Sequence, residues 1–305
     1  MKFLIVDINQ RVLDITIPHY AVERLTDVLS KRDIPVTLAA YDDIEVYIQD
    51  NEFHIDAAGE TLGSFTHVIM RGHRTDYEFM LKKMIVTYAE KHGIKVQNSE
   101  FIKAIPYYNK LFQMEMLANA NLPYVDSYYT VDGKYWEKKD ALKRIGFPLI
   151  YKHTEGEYRI DIIDGKPKTK KHVYLLNNEK ELEEECKRRD EPEDRFLTKP
   201  SKFFIQKFVD IGEDYRAIMI GGKFLSGWKR EATGSFLTVA KGEYSLYDKP
   251  AKEFLKIAED TNNLFKADYG AVDIIYVGEK PFVLEVNMNP GFKAFETKIE
   301  GCDVD

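Results

Sequence analysis

The sequence predicts a mixed α/β and α+β protein: an open α/β unit first, then sheet-and-helix units. Three observations carry that expectation. Over residues 1 to about 100, short apolar runs alternate with amphipathic helical segments, the pattern of an open α/β sheet. In the last third, strands come first, then one helix, then two strands, which puts a helix on an antiparallel sheet. Finally, 305 residues with 44% apolar content suffice for two or three units of ordinary size.

The elements follow in order. "KFLIVDI" is a short β-branched strand. "PHYAVERLTDVLSKRD" starts at Pro18 and spaces its apolar residues at helical intervals. "VTLAAYDDIEVYIQDNEFHIDAAGETLGSFTHVIMRG" reads as further strands with a turn at Asp50-Asn51. "YEFMLKKMIVTYAEKHG" is an amphipathic helix ending at Gly93, and "IKVQNS" is another short strand. A new unit opens with a helix from about Lys110 to Asn119, which leads through "NLPY" into a strand. "KKDALKRIG" predicts a helix, and "FPLIYKHTEGEYRIDII" a strand, a loop with one glycine and a second strand. Between Asp164 and Lys199 charge is dense, and a solvated helix and loop is expected there. "FFIQKFV", "YRAIMIGG" and "KFLSGWKRE" are strands, "KPAKEFLKIAEDTNNLF" is a helix, and "YGAVDIIYVGEKPFVLEV" is two apolar strands joined at "VGEKP".

Composition excludes several classes. A net charge of −7 argues against general nucleic-acid binding and against a membrane surface, while leaving room for a local basic pocket. The apolar run in "MKFLIVDINQ" is too short for a signal peptide, and no stretch approaches the ~18–20 apolar residues of a membrane span. Cys186 and Cys302 lie far apart and lack metal-ligand spacing, so a reduced, cytoplasmic setting is expected.

Chemistry concentrates near the C-terminus, in "LEVNMNPGFKAFE". Side chains alternate along a strand, so Glu285 and Asn287 share a face, and Asp273 on "AVDIIY" is flanked by apolar residues in the same way. Uncompensated carboxylates there are costly and need a donor or a cation. Three oxygen donors suit Mg²⁺ better than zinc. A structural salt bridge at a sheet end is the other reading, and the strands alone leave both open. Lys152 ends the apolar run "GFPLIYK", beside a loop holding Gly156. It either meets a phosphate with that loop or snorkels at a strand end. Arg216 and Arg230 lie within strand patterns, suited to bidentate grip of a carboxylate or phosphate or to ion pairs on the sheet surface.

The order of these motifs resembles the ATP-grasp superfamily, most closely its branch of RimK-like ribosomal-protein glutamate ligases and lysine-biosynthesis carrier-protein ligases. The resemblance runs from "HVIMRG" through "VQNS", "NKLFQMEMLANANLPYVDSYYT", "GFPLIYK", "FIQKFV" and "GEDYRAIMIGGKFLSGWKR" to "AVDIIY" and "LEVNMNPGFKAFE". It implies an ATP-grasp fold with an N-terminal pre-ATP-grasp α/β domain (1–103), a central lid subdomain (104–195) and a C-terminal sheet-and-helix subdomain (196–305). By the resemblance, Lys110 and Lys152 contact ATP phosphates, with Gly156 in the lid loop. Gln206, Lys207 and Val209 lie at the adenine hinge, and Asp214 on the ribose or substrate side. Arg216 and Arg230 serve the transferred phosphate and acyl group, and Asp273, Glu285 and Asn287 hold magnesium. Arg71 and Asn98 match positions where the N-terminal domain meets the active site. Three departures stand out. Glu157 and Arg159 replace small residues in the lid loop, Thr238 or Val239 stands where the family often has asparagine, and the sequence stops at "KIEGCDVD" where relatives usually add a helix.

The implied activity is ATP-dependent carboxylate–amine ligation through an acyl phosphate, on an amino acid, peptide or protein side chain. Its cofactors are ATP and Mg²⁺, with Mn²⁺ as a substitute, and a homodimer or homotetramer is expected. The alternatives are phosphoryl transfer to a small metabolite and a nucleotide-binding module with little turnover.

Overall fold

A computed structural model describes residues 1–8, 11–12, 15–16, 20–72, 76–105, 109–154, 160–163, 166–169, 173–189, 201–232, 242–291 and 293–298. Its N-terminal part is a parallel four-stranded sheet in the order Val36–Ala40, Phe3–Asp7, His67–Met70, Lys95–Val96. Parallel neighbours need crossovers, and helices Tyr20–Ser30 and Asp76–His92 supply them. Leu4, Ile5 and Val6 in the inner strand are fully buried, which is why "FLIV" is continuously apolar rather than alternating. An antiparallel ribbon of Ile44–Gln49, Glu52–Ala57 and Glu60–Thr61 is appended. Its first turn is Asp50-Asn51, with φ of 52° and 63°, the left-handed pair that a two-residue hairpin requires. The strand within "IKVQNS" is only Lys95–Val96, because Asn98 at φ 60° turns the chain into helix Ser99–Ala104.

The middle part is an antiparallel sheet in the order Ser127–Tyr128, Phe203–Lys207, Leu149–His153, Val173–Leu176. Helices Lys139–Ile145 and Glu179–Arg189 pack on it around Tyr135, Leu142, Tyr151, Leu182 and Phe203. The charged stretch holds the expected helix, Glu179–Arg189, and two strands that were not expected. Lys166–Thr169 pairs with Ile160–Ile163, and Val173–Leu176 joins the sheet before the helix begins. Tyr174 and Leu176 are buried, an apolar alternation too brief to stand out among the flanking lysines and glutamates.

The C-terminal part is a five-stranded antiparallel sheet in the order Gly242–Leu246, Lys223–Ala232, Glu213–Ile220, Tyr269–Val277, Lys280–Asn287. Helix Lys252–Leu264 covers one face, setting Phe254, Ile257 and Ala258 against Tyr215, Ala217, Met219, Val272, Ile274 and Val286. Full burial of Phe254 alone contributes roughly 2 kcal/mol. This apolar layer is continuous with the core of the N-terminal sheet, for example where Phe101 meets Phe265 with ring centroids 6.2 Å apart. With one face closed by the helix, alternation along each strand sends the intervening polar residues to the other face. Among the described residues, no helix is long and apolar enough to cross a membrane.

Candidate active site

That other face carries a row of charge across the sheet. Arg230 stands opposite Asp214, Arg216 opposite Asp273, and Asp273 opposite Glu285. Asn287, two residues beyond Glu285, shares its face. A register shift follows between Asp273 and Ile274, so the irregularity adjoins the carboxylate pair, a common position for a bulge beside a functional site.

The row is compensated in pairs. Arg216 donates from Nε to Asp273 Oδ1 at 2.5 Å and from Nη2 to Oδ2 at 2.6 Å, and its guanidinium lies 5.5 Å from the Trp228 ring centroid. Arg230 grips Asp214 through the same fork, with Nε 2.8 Å from Oδ1 and Nη2 bonded to Oδ2. Both arginines thus make the cross-strand ion pairs that were one of their two readings. Burial works to lower the Arg216 pKa, but Asp273 and Glu285 hold it above its ordinary value. At Asp214 burial prevails over Arg230 and raises the carboxyl.

Two lysines close over the row from the middle of the chain. Asn109 caps helix Lys110–Asn119 by accepting from Phe112 N at 2.9 Å, and Lys110 N donates to Thr154 O at 2.7 Å. These bonds tie the start of the helix to the end of strand Leu149–His153, so Lys110 and Lys152 arrive together. Lys110 Nζ pairs with Glu285 Oε1, while Lys152 Nζ lies 3.8 Å from Oε2, beyond hydrogen-bond range. Burial and the like charge of Lys110 push Lys152 down to about 8, against the pull of Glu285 and Asp273. Burial would raise Glu285, yet Lys110, Lys152 and Arg216 outweigh it and bring the carboxyl to about 2. Counted by formal charge, the four cations exceed the three carboxylates by one, a balance suited to an anionic ligand.

The remaining candidates lie on or beyond strand Phe203–Lys207. Gln206 is buried and donates from Nε2 to Ser127 Oγ at 3.0 Å. Lys207 is exposed, with Nζ 3.9 Å from Asp126 Oδ2, and Val209 is half-buried just after the strand. Phe204 stands opposite Lys152, so Gln206 shares the face of Lys152. Gly156, Glu157, Arg159, Thr238 and Val239 lie outside the described residues. Arg71 reaches Pro290 O at 3.4 Å. Asn98 accepts from Tyr269 N at 3.0 Å and donates to Tyr269 O at 2.8 Å and Met288 O at 3.1 Å. Both therefore hold the loop that follows Asn287.

Sequence reasoning missed three contributors. Gln113 bonds the backbone of Val286, between Glu285 and Asn287; its i+3 spacing from Lys110 was the available signal. Tyr20 and Arg24 both bond Glu296, just beyond the same loop, across more than 270 residues, and no local pattern reports such a contact.

Asp273, Glu285 and Asn287 offer oxygen donors alone, which fits a hard divalent cation. No group of three or more His, Cys, Asp or Glu among the described residues is placed to hold a metal, so the set depends on Asn287 as its third donor. It also requires Arg216 and Lys110 to share or release their carboxylates.

Two antiparallel sheets that bring two lysines over a row of acids and arginines define the ATP-grasp class of fold. Within that class the chain belongs to the RimK-like ATP-grasp domain family, whose profile matches residues 107–305. A probable alpha-L-glutamate ligase of Aliivibrio fischeri (strain MJ11) is 28% identical over 171 residues, covering 54% of this chain and 50% of that protein. The chain thus spans about half the length of that relative. Among solved structures, the ATP-grasp ligase PsnB complexed with minimal precursor superposes with a TM-score of 0.67 at 17% identity, over 99% of this chain and 94% of that one. D-alanine–D-alanine ligase from Bacillus anthracis complexed with ATP gives a TM-score of 0.63 at 15% identity, over 97% and 88% of the two chains. PsnB has also been solved with precursor, Mg and ADP.

Proposed function

We propose that the protein is an ATP-dependent, ADP-forming carboxylate–amine ligase. The observation that carries this reading is the convergence of Lys110 and Lys152 on Glu285, next to Asp273 and Asn287, with one formal positive charge in excess. Joining a carboxylate to an amine is uphill in water, and an acyl phosphate overcomes this by supplying a good leaving group. A substrate carboxylate oxygen attacks the γ-phosphorus and ADP departs. The amine then attacks the acyl carbon, phosphate departs, and the amine's proton goes to that phosphate.

The chain's own part is placement and charge. Lys110 and Lys152 offset α- and β-phosphate charge. Arg230 and Arg216 stabilise the transferring phosphoryl group and the tetrahedral oxyanion. Gln206, Lys207 and Val209 bind the adenine, with Asp214 on the ribose or substrate side. Asp273, Glu285 and Asn287 hold Mg²⁺, which when bound neutralises charge on the terminal phosphates; Mn²⁺ serves as a substitute. Residues 104–195, including Gly156, close over the nucleotide and exclude water, which would hydrolyse the acyl phosphate.

The acyl and amine substrates are an amino acid, a peptide or a protein side chain, a range supported by the likeness to glutamate, peptide-precursor and D-alanine ligases. The protein acts in the cytoplasm as a homodimer or homotetramer. The test is ADP release across amino-acid and peptide pools, with mass spectrometry of the products. A new amide, formed with ADP and phosphate, is the expected result. A stable phosphorylated metabolite would replace this reading with phosphoryl transfer, and ATP binding without turnover would replace it with a nucleotide-binding module.

A further inference from the structure

Strand Lys280–Asn287 is the last of the five-stranded sheet, with Tyr269–Val277 on one side; on the other, Val283 forms a lone parallel bridge with Tyr124, its N–H donating to Pro123 O at 2.9 Å. An edge strand leaves every second residue's N–H and C=O pointing outward, and where such groups are buried they need a partner. At Val286 both groups point to Gln113. Gln113 Nε2 donates to Val286 O at 2.9 Å, and Gln113 Oε1 accepts from Val286 N at 3.1 Å. One side-chain amide so takes the place of one residue of a further strand. The contact is dry, with Gln113 5% exposed and Val286 1%.

The position of this bracket matters. Val286 lies between Glu285 and Asn287, and its backbone sets the direction of both side chains. One turn earlier on the same helix, Lys110 pairs with Glu285 Oε1. The helix thus grips this strand twice, by charge on the side chain of Glu285 and by an amide pair on the adjoining backbone.

We infer that Gln113 is a positioning residue, fixing the Glu285–Asn287 pair for magnesium nucleotide by pinning the backbone between them. This assignment rests on the ligase reading for the identity of the ligand, while the bracket stands on its own geometry. Groups that orient metal ligands from behind commonly change metal affinity by about 10–100-fold when removed. The expected effect of losing the bracket falls in that range.

The test compares wild type with Gln113→Met, which keeps length without hydrogen bonds, and Gln113→Glu, which keeps the acceptor but loses the donor. Calorimetry of ADP binding over a Mg²⁺ series reads the metal directly, and hydrogen exchange at Val286 N–H reads the bracket. In both variants the half-saturating Mg²⁺ concentration rises about 10-fold or more. In turnover, KM for Mg²⁺ rises while KM for the carboxylate and amine substrates holds. Val286 exchanges faster in Gln113→Met. If one variant fails to fold, the other carries the comparison. An unchanged Mg²⁺ dependence in a folded variant overturns the inference, as does a uniform fall in kcat without a Mg²⁺ shift. A wild type that binds Mg–ADP without ligating anything overturns the ligase reading alone. A wild type that binds no Mg–ADP overturns both.

Discussion

At Asp273 one carboxylate serves both folding and the proposed ligand site. Both oxygens are held by Arg216, and only 10% of the Asp273 side chain is exposed. Removing one partner of a buried pair strands the other charge and costs about 3–5 kcal/mol; with Arg216 24% exposed, the lower end applies. Asp273→Asn is expected to lower unfolding stability by about 3 kcal/mol, read from the urea midpoint, and to weaken Mg²⁺ dependence of nucleotide binding as well. Lys82 is a different case. Burial pushes its ammonium down to about 7, with Arg71 adding to the effect and Asp7 and Glu78 opposing it. In the unfolded chain it returns to its ordinary 10.5, so between pH 7 and 10.5 the unfolded state holds a proton that the folded state lacks. Its contribution to stability therefore rises with pH across that window, by up to about 1.4 kcal/mol per unit. Lys82→Met should flatten the rise, seen as a wild-type-minus-variant difference in urea midpoints from pH 7 to 10. The two residues also differ in legibility. Asp273 could be found because strand alternation reports which face a residue takes. Lys82 sits in "YEFMLKKM", where a lysine reads as solvent-facing, and the residues that surround it, Tyr41, Asp7, Arg71 and Asn98 among them, come from other elements.

At the scale of elements, the short helix Lys293–Lys298 is docked by a remote partner. Tyr20 Oη donates to Glu296 Oε2 at 2.5 Å, and Arg24 Nε donates to Oε1 at 2.8 Å, so both oxygens are held by helix Tyr20–Ser30. Six residues are too few to hold a helix in water unaided, which leaves this docking to stabilise it. Glu296→Ala is expected to loosen Lys293–Lys298, giving faster hydrogen exchange there and quicker proteolysis near Gly291, with little change in helix Lys252–Leu264. Exchanging the charges, with Glu296→Arg and Arg24→Glu together, should recover part of the loss; a double variant worse than both singles would assign the effect to packing instead. Helices and strands with whole-face periodicity were legible in the sequence, including Lys110–Asn119 to its ends, because burial of one face writes the period into the residues. Strand Val173–Leu176 was not, since four residues between charged runs carry too little period to register. The Glu296 dock was invisible for a related reason: it is a relation between elements rather than a pattern within one.

Across the whole molecule, the proposed site joins side chains from three different parts of the fold. Glu285 comes from the C-terminal sheet, Lys152 from the middle sheet and Lys110 from the helix between them. A ligand that draws these cations and acids together binds the folded chain alone, and so stabilises it by mass action, by about 2.7 kcal/mol at a hundredfold excess over Kd. One kcal/mol moves Tm by roughly 2–4 °C in chains of 150–250 residues and less in longer ones, so ATP with Mg²⁺ should raise Tm by on the order of 5 °C here. Three controls give the shift its meaning. EDTA should remove most of it, because phosphate charge then meets Glu285 and Asp273 without a bridging cation. Glu285→Gln should weaken the Mg²⁺ dependence while the bare nucleotide still binds, since the lysines remain and one repelling carboxylate is gone. Raising salt from 0.05 to 0.5 M should reduce the ATP shift in wild type by less than it would at an exposed patch, because Lys110 and Lys152 are buried where mobile ions screen poorly. A Tm that ignores ATP and Mg²⁺ together would mean that the charge row serves only to hold the sheet, and the nucleotide role assigned to these three elements would fall.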